Sequence, residues 1–137
     1  MTPLLAIRGL RTVFNTRQGA LRAVDGVDLD VMPGECLGVV GESGSGKSVT
    51  FLSVLGLVKP PGRVQDGEAR FDGRDLLRLP PPELRALRGR DIALTMQDAL
   101  TALNPALRVE EQIVETILAH DRMPHPAARA KAVDMLR

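Results

Sequence analysis

The stretch Gly41-Glu42-Ser43-Gly44-Ser45-Gly46-Lys47-Ser48 constrains this chain more than any other, because it meets the pattern G-x-x-x-x-G-K-[ST] at every defined position. Glycines in such a loop let the backbone curl until successive N–H groups converge on phosphate oxygens, where side chains would clash or forbid the dihedrals. Lys47 adds a point charge for the β- and γ-phosphates, and Ser48 supplies the hydroxyl such loops place on Mg²⁺. The helix opened by the motif turns its positive end toward the same phosphates. The implied ligand is a nucleoside triphosphate.

The competing reading is a glycine-rich turn that matches by accident. With this chain's residue frequencies, a chance match somewhere is on the order of a few in a thousand. Context argues further against accident. Leu37-Gly38-Val39-Val40 reads as a buried strand before the loop, and Val49 to Val58 as a buried helix after it, giving the strand–loop–helix setting the motif requires. With three lysines against fifteen arginines, a lysine at position 47 is not background.

At 137 residues and 44% hydrophobic content, the chain has material for a core within one domain or part of one. Three Phe and no Trp or Tyr mean that Leu, Val, Ile and Ala must build it. A net charge of +1 with scattered arginines gives no field for nucleic acid. Cys36 is the only cysteine, which excludes an internal disulfide and fits a reducing compartment. The longest apolar run, around Val49 to Val58, falls well short of the ~20 residues a membrane span needs. No N-terminal signal pattern is present, so a cytosolic chain is expected.

Along the chain, residues 4 to 14 mix apolar and polar positions like a strand, with Ile7, Val13 and Phe14 facing inward and Gly9 placed for a bulge. Asn15 to Gly19 is a polar turn. Val27 to Val31 alternates with period two, as in a half-buried antiparallel strand, and Pro33-Gly34 turns the chain toward 37 to 40. Lys59-Pro60-Pro61-Gly62 stops the helix after the loop. Asp66-Gly67 and Asp72-Gly73 read as hairpin turns flanking the short strand Glu68 to Phe71. A short helix over roughly 83 to 88 and a strand over Ile92 to Met96 follow. Val109, Ile113 and Ile117 repeat at helical spacing, with Glu110 and Glu111 in the first turn where the dipole favours acids. A last amphipathic pattern begins after Pro126 and stops without a cap signal, which suggests a piece of a longer protein.

Together, Val27 to Val31, Pro33-Gly34-Glu35, Gly41 to Ser48, Phe71-Asp72-Gly73-Arg74-Asp75-Leu76 and Met96 to Pro105 resemble the ATP-binding subunits of ABC transporters. Leu103-Asn104-Pro105, followed by Glu111-Gln112-Ile113 and Glu115, points to the oligopeptide and dipeptide import branch, and the likeness covers essentially the whole chain. The resemblance implies an α/β P-loop NTPase of ABC ATPase type, incomplete. Its parts would be an antiparallel β layer, a partial RecA-like core and the start of a helical subdomain. The first two would occupy about 1–97, and the Q-loop with the start of the helical subdomain about 97–137.

The same resemblance assigns roles. Gly41, Glu42, Ser43, Gly44, Ser45, Gly46, Lys47, Ser48, Val49 and Thr50 would hold the phosphates of ATP, with Lys47 and Gln97 catalytic and Ser48 and Gln97 on Mg²⁺. Gln97 would be the Q-loop glutamine, whose amide both donates and accepts without adding charge beside the γ-phosphate. Phe14 is the only aromatic in the N-terminal β layer and so the candidate for stacking on adenine, with Arg22 or Val24 as alternatives beside the base. The implied partners are transmembrane permease subunits, a second ATP-binding subunit and, indirectly, a solute-binding protein, at the cytoplasmic face of the membrane. The chain departs from the family at Met96, where an aromatic is common. It also carries no Leu-Ser-Gly-Gly signature, no apolar strand ending in Asp-Glu and no switch histidine; His120 and His125 read as exposed helix-end or loop residues. Two other readings remain open: a nucleotide-binding remnant without activity, and another P-loop NTPase such as a small-molecule kinase.

Overall fold

The computed structural model describes residues 2–95 and 103–137. Its contacts divide the chain into two compact units, Met1–Arg85 and Ala86–Arg137. In the first unit, β1 (Leu5–Thr16), β2 (Gly19–Val31), β3 (Gly62–Phe71) and β4 (Arg74–Asp75) form an antiparallel sheet in the order β2-β1-β3-β4. Helix α1 (Lys47–Val54) packs on this sheet. A 3-10 turn at Leu76–Arg78 and helix α2 (Pro81–Leu87) follow.

The bulge expected at Gly9 is present and reorganises β1. The pairing with β2 slips between Ile7 and Leu10, and Gly9 donates its N–H to Asp28 Oδ1 at 2.6 Å. The extra residue resets the alternation, so that Ile7, Leu10 and Thr12 are all fully buried while Arg11 stays outside in ion pairs with Asp25 and Asp66. The register shifts again between Leu10 and Arg11 and once more after Thr12, where Val13 is buried as well. Asp66-Gly67, expected to be a hairpin turn, instead lies inside β3, which starts at Gly62. Gly67 sits opposite the bulge, with a φ of 109°, and a Cβ there would run into the backbone of Arg8 and Leu10. Its lack of a side chain makes room for the bulge rather than for a reversal of the chain. Asp72-Gly73 does turn the chain, between β3 and β4.

Beneath the sheet, Thr12 and Ser53 share a buried hydroxyl contact of 2.7 Å. Ser53 spends its single proton on the Val49 carbonyl at 2.6 Å, so Thr12 is the donor of the pair. Helix α1 ends earlier than the prolines suggested. Gly56 in a left-handed conformation donates to the Ser53 carbonyl and Leu57 to that of Leu52, the paired bonds of a Schellman C-terminus.

Two expected strands do not form. Residues 37–40 are irregular, with Leu37 and Val39 exposed and Val40 94% exposed. Residues 92–95 contribute only a single bridge, Arg88 to Ile92. A strand exists only through the neighbour that completes its hydrogen bonds, and among the described residues 37–40 pairs with no strand and 92–95 has only the bridge to Arg88.

In the second unit, α3 (Val109–His120) and α4 (His125–Met135) pack through Val114, Ile117, Ala128 and Ala132. Ion pairs Arg129–Glu110 and Lys131–Asp121 flank that seam. Lys131, hydrogen-bonded at 2.7 Å, holds the Asp121 carboxyl below the usual carboxylate range. No helix among the described residues is long and apolar enough to cross a membrane.

Candidate functional site

The loop Gly41–Gly46 leads directly into α1, whose first residues are Lys47 and Ser48. Gly46 is the residue before the helix and adopts a left-handed conformation, φ 92°, which costs an L side chain about 1–2 kcal/mol. It is also pressed against β2, because a Cβ at this position would overlap the carbonyl oxygen of Ala23 and touch Val24. The glycine therefore does two things: it turns the chain into the helix and lets the loop settle on the strand below. Gly44 shares the left-handed conformation, φ 82°, but nothing lies within 4 Å of where its Cβ would be.

The start of α1 has no side-chain cap and no acidic residue in its first turn. Its first amides are thus left for another acceptor, and the dipole is not neutralised locally. Thr50 is buried and tied back by its hydroxyl to the Gly46 carbonyl at 3.0 Å, which stiffens the first turn. Lys47 folds over the loop and donates to the carbonyls of Gly41 and Glu42, both at 2.7 Å, and to Ser45 Oγ at 3.1 Å. All three ammonium protons are directed at the loop, and the charge is held at its mouth. The Ser48 hydroxyl is exposed and takes no partner among the described residues, while Val49 is half-buried on the helix. These features fit a polyphosphate. The exposed Ser48 hydroxyl is an oxygen of the kind that could hold Mg²⁺ beside bound phosphates.

The remaining candidates lie elsewhere. Phe14 is half-buried on β1, paired with Leu21 and Gly62, and its ring lies over Gly62 and beside Val58. Val24 is buried under the loop, and Arg22 is exposed in an ion pair with Asp25. Gln97 and Met96 lie outside the described residues. His125 is exposed and His120 is half-buried at the end of α3, against Gly89. The sequence reasoning missed the part played by Ala23 and Val24 as the floor of the loop. The alternation of β2 was visible, but nothing in it said which strand would lie beneath the glycines.

Comparison with known proteins agrees with this geometry. A family profile described as ABC transporter matches residues 24–136. The dipeptide transport ATP-binding protein DppD of Bacillus subtilis is 44% identical over 99% of this chain, and the oligopeptide transport ATP-binding protein OppD of Escherichia coli is 43% identical over 97%. The chain spans 41% and 39% of the lengths of these two relatives. Among solved structures, the dimeric ATP-binding cassette MJ0796 bound to ADP and Pi superimposes with a TM-score of 0.76 at 22% identity, covering 96% of this chain and 55% of that one. The fold is accordingly that of an ABC-type P-loop cassette, present in part. With a profile match that begins on the strand beneath the glycine loop and runs through residue 136, the chain belongs to the ABC transporter family.

Proposed function

We propose that this chain is the N-terminal part of the ATP-binding subunit of an ABC importer, coupling ATP binding and hydrolysis to uptake of peptides or similar small solutes. The observation that carries the reading is the start of α1: an uncapped helix end, entered through left-handed Gly46, with Lys47 held at the loop mouth. The identity of 43–44% to dipeptide and oligopeptide transport ATP-binding proteins supports the choice of branch.

In this reading the amides from Ser43 to Val49 bind phosphate oxygens, and Lys47 exchanges part of its hold on the loop for the β- and γ-phosphates. Ser48 contributes its hydroxyl to Mg²⁺, which when bound offsets phosphate charge during transfer to water. Gln97 orients that water and bears on the metal. Phe14 stacks on the base, and the segment to Pro105 meets the permease subunits. The first part of the chain, to about residue 97, carries the nucleotide site, and the rest begins the helical subdomain. A second ATP-binding subunit completes the site, the assembly sits at the cytoplasmic face of the membrane, and a solute-binding protein delivers the cargo. Because the chain spans about two fifths of its relatives' length, the 137 residues alone are expected to release negligible phosphate from ATP.

Titration of the full subunit with Mg-ATP tests the assignment. Lys47→Ala is expected to weaken binding by at least about tenfold, in line with loss of a charge-assisted hydrogen bond. Unchanged affinity would remove the site, and phosphorylation of a small molecule instead of release of free phosphate would move the protein to a kinase class.

A further inference from the structure

Residues 103–109 are all exposed, Leu103, Leu107 and Val109 each at 46%, so apolar burial does not hold this segment in place. Hydrogen bonds do, and three of them converge on one side chain. Gln112, in the first turn of α3, accepts the Asn104 N–H on Oε1 at 2.9 Å and donates from Nε2 to the Asn104 carbonyl at 3.0 Å. The same Nε2 donates to the Leu107 carbonyl at 3.2 Å. Its amide thus engages both main-chain groups of Asn104, as a neighbouring strand would. The turn is closed locally by Ala106 N–H on Asn104 Oδ1 at 3.0 Å and Leu107 N–H on the Asn104 carbonyl at 3.2 Å. Glu111 accepts the Arg108 N–H at 3.3 Å beside them.

We infer that Gln112 is a positioning residue, whose amide locks the Asn104–Leu107 turn to the start of α3 so that movement of the helical unit and of that turn are one movement. This rests on the functional reading above, in which the chain leading into Asn104 meets the membrane subunits. The side chain recognises main-chain groups only, so the Asn104 side chain is secondary. Gln112→Glu is the sharper probe: it keeps length and the acceptor for Asn104 N–H, but sets a carboxylate oxygen against two carbonyls. Gln112→Ala removes the amide altogether.

The test compares ATP turnover by the full subunit assembled with its membrane partners to turnover by the subunit alone. Hydrogen exchange at the Asn104 amide reports the lock itself. For Gln112→Glu and Gln112→Ala the assembled-to-isolated ratio is expected to fall about tenfold, within the usual range of coupling between sites, while isolated turnover and Mg-ATP affinity stay within about twofold. Exchange at Asn104 should accelerate in Gln112→Ala, and Asn104→Ala should retain most of the ratio. A ratio unchanged in both Gln112 variants, with ATP bound normally, would overturn the inference alone. So would a parallel fall of isolated and assembled turnover with thermal stability, which marks a merely structural residue. Failure of the wild-type subunit to bind Mg-ATP would instead defeat the functional reading, and the coupling role with it, while slow exchange at Asn104 would still show the lock. If Gln112→Ala does not fold, Gln112→Glu decides.

Discussion

Gly44 and Gly46 share a left-handed backbone but not an environment, and that difference gives a measurable prediction. Replacing Gly44 by Ala meets open space, so the variant bears only the backbone penalty of about 1–2 kcal/mol. Replacing Gly46 by Ala bears the same penalty and also drives a Cβ into the Ala23 carbonyl oxygen, which is backbone and cannot rotate away. Forcing extra atoms into a packed contact costs a further ~1–3 kcal/mol. Gly46→Ala should therefore destabilise by about 2–5 kcal/mol in all, and exceed Gly44→Ala by about 1–3 kcal/mol. Denaturant unfolding of the full subunit carrying each substitution measures the difference directly, with equal m-values as the condition for comparing midpoints. Equal losses in the two variants would refute the reasoning, because the contact with β2 would then contribute nothing.

Two further outcomes follow from polar contacts. Ser53→Ala leaves the buried Thr12 hydroxyl without its acceptor and should cost about 1–3 kcal/mol, whereas Thr12→Val leaves Ser53 bonded to Val49 and should cost less; the reverse order in unfolding experiments would mean that the proton lies the other way. Asp121 has its pKa lowered by its hydrogen bond to Lys131, so its contribution is present above the ordinary carboxylate range and is lost as pH falls through that range to the lowered value. The gap in melting temperature between wild type and Asp121→Asn should accordingly be open at neutral pH and close below about pH 4, and a gap that widens on acidification would contradict the sign.

The glycine loop that opens α1 was legible because its pattern is local: glycines, a lysine and a serine at fixed spacing mark where the chain turns into the helix. The antiparallel layer was legible in Val27 to Val31, where alternation alone fixes the facing of the strand. Other features depended on partners that no local pattern names. Leu37 to Val40 has the composition of a buried strand, yet composition supplies only a willingness to pair. Asp66-Gly67 carries the signature of a turn, but its meaning comes from the bulge across the sheet, some sixty residues earlier. The end of α1 was readable from Gly56 followed by Leu57, and the more conspicuous prolines after it drew the boundary too late. The lock formed by Gln112 reaches back eight residues to main-chain atoms, which leave no trace in side-chain pattern.

The bulge at Gly9 bears on how this sequence can vary in length. Insertions and deletions are usually sought in loops, where one residue more or less alters only a connection. In β1 a single deletion at Gly9 would set Ile7, Arg8, Leu10, Arg11 and Thr12 in ordinary in–out alternation, and each of these side chains would keep the face it has now. Arg11 would stay outside with Asp25 and Asp66, and Thr12 would stay against Ser53, while Gly67 would lose the bulge it makes room for. A homologous segment one residue shorter at this place would therefore keep the same order of apolar and polar residues through this stretch, and would read in an alignment as a single gap with the phase preserved.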